Sequence, residues 1–133
     1  MSEFLLYSRT GWSDYFTTTN PTNRSSQLYT SRENPSDASL YFSNCLFSDI
    51  TSSSDGGALY CGSVTYILVE STSFFSCKTS SQNGGAIYFS NSGQSVLHKI
   101  CGYDCYITTN SYPYCQFAHI RVNNVASYKN DVN

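Results

Sequence analysis

Residues 40–61 read LYFSNCLFSDITSSSDGGALYC, and residues 68–89 read LVESTSFFSCKTSSQNGGAIYF. At a shift of 28, with no gap, 11 of the 22 positions are identical, among them Leu40/Leu68, Phe47/Phe75, Gly56/Gly84, Gly57/Gly85 and Tyr60/Tyr88. Self-similarity at such a period marks an array of stacked units. A decayed third copy follows at residues 96–117, VLHKICGYDCYITTNSYPYCQF. It places Cys101 in the Cys45 column, Tyr103 under Phe75, Cys105 under Cys77 and Phe117 under Phe89, and it exchanges the glycine pair for Tyr112-Pro113. Terminal repeats are often atypical in this way.

The unit is made of strands. The L-x-x-L-x-L pattern of leucine-rich repeats is absent, and runs such as Thr51-Ser52-Ser53-Ser54 with a glycine pair in the same unit oppose helices. Each unit divides into short strands near 40–43, 45–48 and 58–62, separated by Ser, Gly and Asn turns. The expectation is an all-β parallel β-helix of about three to four coils with a 28-residue period, each residue stacking on the one 28 later. Strand alternation then sends Leu59/Ile87/Cys115 and Cys61/Phe89/Phe117 inward. It sends Ala58/Ala86/Tyr114 and the Tyr60/Tyr88 pair outward. The Phe47/Phe75/Tyr103 column is the expected inward line of the second strand, alongside Cys45/Ser73/Cys101. Gly56, Gly57, Gly84 and Gly85 form the structural turn, where glycine tolerates positive φ.

Around this core the reading assigns residues 1–38 to an irregular first coil and N-terminal cap, 39–120 to the repeats, and 121–133 to a polar C-terminal tail at a truncated end. The 133 residues suffice for one domain with a real core. With 7 basic and 9 acidic residues the net charge is −2, and charged residues are only 12% of the chain. Such a chain lacks the Lys/Arg stripe of a nucleic-acid binder. Its polarity comes from 24 serines and 12 threonines, and aromatics reach 16%. No apolar run has the roughly 18 residues of a membrane span, and Met1 to Trp12 lacks the shape of a signal peptide. Six cysteines nevertheless suit an extracellular setting. The expectation is a cell-surface or extracellular fragment of a longer protein.

The units Cys45-x-Phe47…Gly56-Gly57-Ala58-Leu59-Tyr60 and Ser73-x-Phe75-x-Cys77…Gly84-Gly85-Ala86-Ile87-Tyr88 resemble the GGAI repeats of polymorphic outer-membrane proteins. These are surface β-helix proteins of chlamydiae and, in a Cys- and Ser-rich form, of trichomonad protists. The present repeats look closer to the protist form. The FxxN of the bacterial form here reads Phe47-Ser48-Asp49-Ile50 and Phe75-Ser76-Cys77-Lys78. The resemblance spans about residues 39–120. It implies a right-handed helix, surface display and an adhesin-like role, with no catalytic residues.

Candidate sites follow from the columns. Polysaccharide lyases and galacturonases of the pectin lyase-like fold also use β-helices, so catalysis needs a test. Asp49 and Asp55 are the most site-like carboxylates, but the 28-residue columns read Asp49/Cys77/Cys105 and Asp55/Asn83/Ser111, with no two acids together. Paired acid/base work or Ca²⁺ binding needs clustered carboxylates. No catalytic residue is therefore assigned. His98, Cys101, Cys105, Cys115 and His119 could be read as zinc ligands, but their spacing matches no CxxC pair, so no metal and no cofactor is expected. Cys77 and Cys105, one coil apart, are either a disulfide or stacked reduced thiols. Asn23-Arg24-Ser25 is a candidate glycosylation sequon. The leading function is a non-enzymatic surface interaction module whose binding face carries Tyr60 and Tyr88. Its partner would be a protein or glycan at the cell surface. A carbohydrate-active enzyme and a structural stalk spacer are the alternatives.

Overall fold

The computed structural model describes residues 11–17, 20–91, 93–109 and 117–122. Apart from one 3-10 turn at Trp12–Asp14, its elements are strands. They are β1 Thr22–Ser25, β2 Leu28–Tyr29, β3 Ser39–Ser43, β4 Leu46–Ser52, β5 Leu59–Cys61, β6 Tyr66–Thr79, β7 Ile87–Asn91, β8 Gln94–Tyr103, β9 Tyr106–Ile107 and β10 Ala118–Val122. All strand pairings among them are parallel. The protein is all-β.

Each pass of the chain has three limbs. The first stacks β1, β3, the start of β6 and the start of β8. The second stacks β2, β4, the rest of β6, and then the end of β8 with β9. These two limbs form one seven-stranded sheet, while the third limb, β5, β7 and β10, is a separate sheet of three. The core lies between the sheets: Leu40, Phe42, Phe47, Val69 and Phe74 from one meet Leu59, Cys61, Ile87 and Phe89 from the other. Strand alternation accounts for the assignment, since β3 is buried at Leu40 and Phe42 and β5 at Leu59 and Cys61.

The register departs from a uniform shift of 28. Leu59 pairs with Ile87, Ile67 with Ser95 and Lys78 with Tyr106, all 28 apart. Leu40, however, pairs with Ile67, and Phe47 with Phe74, both 27 apart. Ile87 pairs with Ala118, 31 apart. One residue is thus added between Thr79 and Ile87, and three more before Phe117. The expected Phe47/Phe75/Tyr103 column is therefore corrected. Phe47 stacks on Phe74, with ring centroids 4.7 Å apart and 8° between planes. Phe75 and Tyr103 point outward. Likewise Cys45 lies beside Thr72, while Leu46, Ser73 and exposed Cys101 share an outer row. Ile120, and not Phe117, is the partner of Phe89. Ala58 and Ala86, expected outside, are fully buried at the turn. Cys115 and Tyr114 lie outside the described residues.

The inner aromatic line runs Tyr29, Phe47, Phe74, with Tyr29 and Phe47 stacked at 4.6 Å. The next pass has Gly102 in that line. A Cβ on Gly102 would lie 2.6 Å from the Phe117 ring, which meets Phe74 edge-on at 5.7 Å. Glycine thus admits a ring from the third limb where the column lacks its own.

Corners between limbs are set by columns of left-handed residues. Ser26, Asn44, Ser71 and Lys99 have φ of 54, 53, 47 and 53°, and they separate the first limb from the second. Asp49, Ser76 and Asp104, at 55, 53 and 55°, bend the second limb. Gly56 and Gly84, at 65 and 64°, open the third. Short polar residues accept this region better than bulky ones.

The first limb is covered on both faces. Ile67 and Val69 point into the main core, whereas Leu68 and Val96 meet Trp12, Tyr15 and Phe16 on the outer side. That double burial explains the continuous buried run from Ile67 to Glu70.

Candidate binding face

On the third limb the inward turn of Leu59, Cys61, Ile87 and Phe89 forces Tyr60 and Tyr88 outward. Their rings stack with centroids 5.0 Å apart and planes 5° off parallel. The ladder is longer than the sequence reading allowed. His119 stacks on Tyr88 at 5.1 Å and 8°, and the Arg32 guanidinium lies 4.9 Å from the Tyr60 ring centre. Arg32 also donates from Nη2 to the Asp55 carbonyl at 2.8 Å and from Nε to the Gly56 carbonyl at 3.0 Å. It therefore joins the ladder to the glycine turn. Because the rings lie face to face, their faces are occupied by one another. What the row presents to a partner is ring edges and hydroxyls. A Cβ on Gly62 would lie 2.7 Å from the Tyr60 ring, so glycine there lets the ring fold down along the strand.

The sequence sets His119 among possible zinc ligands and Arg32 within the N-terminal cap; only the 31-residue step and the pairing of Glu33 with Leu59 bring them to this face. Sequence offers a weak signal for the first: an aromatic ring at the outward parity of β10.

The second limb carries another outer row. Phe75 and Tyr103 stack at 5.3 Å with 12° between planes and are 45% and 66% exposed. Leu28, Leu46 and Tyr106 are exposed on the same limb. The Lys78 ammonium sits 4.8 Å from the Tyr106 ring centre and 3.2 Å from Asp104 Oδ2. The hydrogen bond from Lys78, helped by one from Ser76, holds the Asp104 carboxyl below its ordinary range.

The acids do not match the sequence columns. The 27-residue step puts Asp49 in one line with Ser76 and Asp104, two acids with a serine between them, instead of with Cys77 and Cys105. Both acids stand at a left-handed corner, and each takes a serine hydroxyl: Ser48 Oγ donates to Asp49 at 2.9 Å and Ser76 Oγ to Asp104 at 3.0 Å. Asp55 is a clamp between passes. Its Oδ1 accepts from the Ser81 hydroxyl and, at 3.2 Å, from the Asn83 amide, and its Oδ2 accepts from Asn83 Nδ2 at 3.1 Å. Partial burial pushes the Asp55 carboxyl up, but these donors outweigh it and hold it below the usual carboxylate range.

Positive φ occurs at the first glycine of each pair, Gly56 and Gly84, and not at Gly57 or Gly85 as expected. Gly57 is required for a different reason: a Cβ there would strike the Gly85 carbonyl and lie 2.6 Å from the Lys78 carbonyl. Asn23 is exposed on β1, opposite Tyr41. Cys77 and Cys105 are free thiols at matching places on neighbouring passes. His98 is buried with both ring nitrogens unpartnered, and among the described residues no three His, Cys, Asp or Glu side chains gather as a metal site.

No helix among the described residues is long and apolar enough to cross a membrane. No curated protein and no solved structure matches the chain. One pass does have a counterpart. Residues 40–62, which hold β3, β4, the Gly56-Gly57 turn and β5, match the Chlamydia polymorphic membrane protein repeat.

Proposed function

We propose that the chain is part of a right-handed parallel β-helix of a polymorphic-membrane-protein-like surface protein, and that it serves as a non-enzymatic, adhesin-like interaction module. The match of residues 40–62 to the polymorphic membrane protein repeat carries this reading. The parallel passes and the steps of 27 and 28 residues support the helix. The binding face is the ladder of Arg32, Tyr60, Tyr88 and His119. Its edges and hydroxyls suit a neutral, hydroxyl-bearing glycan or the polar surface of a protein, since tyrosine combines contact area with a hydrogen-bonding tip. Asp49 and Asp104 are engaged at the corner and Asp55 at the turn, which supports a structural role for these three acids.

The test is a glycan-array and host-cell binding screen comparing wild type with Tyr60→Ala/Tyr88→Ala. Binding is expected to fall at least about tenfold in the double variant, as removal of central aromatic anchors does elsewhere. Undiminished binding would move the site off this face. Turnover of an acidic polysaccharide that is lost on Asp49→Asn would replace the module by an enzyme.

A further inference from the structure

Cys77 ends the second limb of one pass, and Cys105 stands at the same place in the next. Lys78 pairs with Tyr106, so the residues just before them are nearest neighbours across the strands. The two side chains hold the same pose. Cys77 Sγ lies 3.6 Å from the carbonyls of Phe75 and Phe47, and Cys105 Sγ lies 3.4 and 3.3 Å from those of Tyr103 and Phe74. In each case the contacts are the carbonyl two residues back and one on the preceding pass. The sulfurs thus point the same way along the stack, each against main-chain carbonyls. Neighbouring parallel strands, about 4.8 Å apart, fall within the Cα separation a disulfide accepts. Among the described residues no other two cysteines are placed like this. Cys45 sits beside Thr72, Cys61 is buried in the other sheet, and Cys101 faces outward.

The two differ in access. Cys77 is fully buried, whereas Cys105 is half-buried next to β9, a two-residue strand paired to β6. The thiol of Cys77 stabilises negative charge on Cys105 Sγ, which lowers that group's proton affinity. The same contact, with burial, raises that of Cys77. One partner is suited to attack and the other to follow.

We infer that Cys77 and Cys105 are a thiol–disulfide pair that staples one pass to the next when a small-molecule disulfide such as oxidised glutathione is present. The Cys105 thiolate attacks one sulfur of glutathione disulfide, forms a mixed disulfide and releases one glutathione thiolate. Cys77 then gives up its proton and attacks Cys105 Sγ, expelling the second glutathione. Two electrons and two protons pass from the pair to the glutathione disulfide, which leaves as two thiols. The closed loop contains one complete pass, from the second limb through the third and back.

The full chain, folded and reduced, is titrated with glutathione disulfide, trapped with iodoacetamide and mapped by peptide mass spectrometry. The expected first product is a single Cys77–Cys105 cross-link, lighter by two hydrogen atoms, with Cys45 and Cys61 still alkylated only after unfolding. Exchange of the Thr108 amide, which donates to the Thr79 carbonyl at 2.8 Å just beyond β9, should slow about tenfold on oxidation. In Cys77→Ser, Cys105 should hold glutathione as a stable mixed disulfide. In Cys105→Ser, Cys77 should not react. No cross-link, a stable glutathione adduct on wild-type Cys105, or Cys105 joined to any other cysteine would overturn the inference. Should either variant fail to fold, the wild-type map alone decides.

Discussion

Phe74 and Phe75 are adjacent in sequence and alike in chemistry, yet the fold uses them oppositely. Each stacks on a ring of a neighbouring pass, Phe74 on Phe47 and Phe75 on Tyr103, in near-parallel geometry. Phe74 is 1% exposed and Phe75 45%. Stacking geometry alone therefore says nothing about stability. Burial decides, because the inner pair removes its full surface from water and the outer pair only part of it. The outer ring is available for contacts with another molecule, while the inner one holds the passes together.

The largest expected effect breaks the inner line. Phe74→Ala should cost about 3–5 kcal/mol in chemical denaturation, with Phe75→Ala costing less than about 1 kcal/mol. Equal losses would mean that the 27-residue step is misplaced and both rings share the core. A second comparison sets the turn clamp against the exposed corners. Asp55→Ala removes three hydrogen bonds to the next pass and should cost about 1–2 kcal/mol at neutral pH, given partial exposure. Because the folded state holds this carboxyl below its ordinary range, its contribution is complete above the unfolded value, about 3.9, and is lost as pH falls through the lower folded value. The gap between wild type and Asp55→Ala should narrow below about pH 4 and stay constant from pH 5 to 8; a gap that widens in acid would contradict the clamp. The smallest effect is a gain. Lys99 occupies the left-handed corner that Asn44 fills two passes earlier. Lys99→Asn should raise stability by about 0.5–1 kcal/mol, seen as a higher melting temperature. An unchanged or lower value would show that the corner carries no strain.

The third limb was legible from sequence because its signals agree. Leu59, Cys61, Ile87 and Phe89 are apolar at one parity, Tyr60 and Tyr88 stand at the other, and a glycine pair precedes both β5 and β7. The second limb was not, since Leu46-Phe47 and Phe74-Phe75 are apolar at both parities. An ungapped comparison resolves that ambiguity by counting identities, and several of those lie in the turn after β4, such as Ser53/Ser81 and Gly56/Gly84. The match of Ser43 with Ser71 misleads in the same way, for the corner partner of Ser71 is Asn44. Alternation can be read only where one face is polar, and a single added residue in a polar turn leaves no trace in composition. The rung supplied by Arg32 lay beyond reach, and that of His119 left only a weak signal, for a related reason. Their places depend on loop lengths, which hydrophobic periodicity does not constrain.

The one-after-another stacking of parallel passes also fixes how the molecule yields to force. Tension along the stack, from β1 towards β10, runs along the hydrogen bonds between strands and not across them. Bonds then open a few at a time, like a zipper, and each detached pass lets out about 18 to 31 residues of slack, on the order of 60–110 Å of chain. Such a chain lengthens in steps under modest load instead of holding rigid until it fails. A covalent link between Cys77 and Cys105 would take one of those steps away.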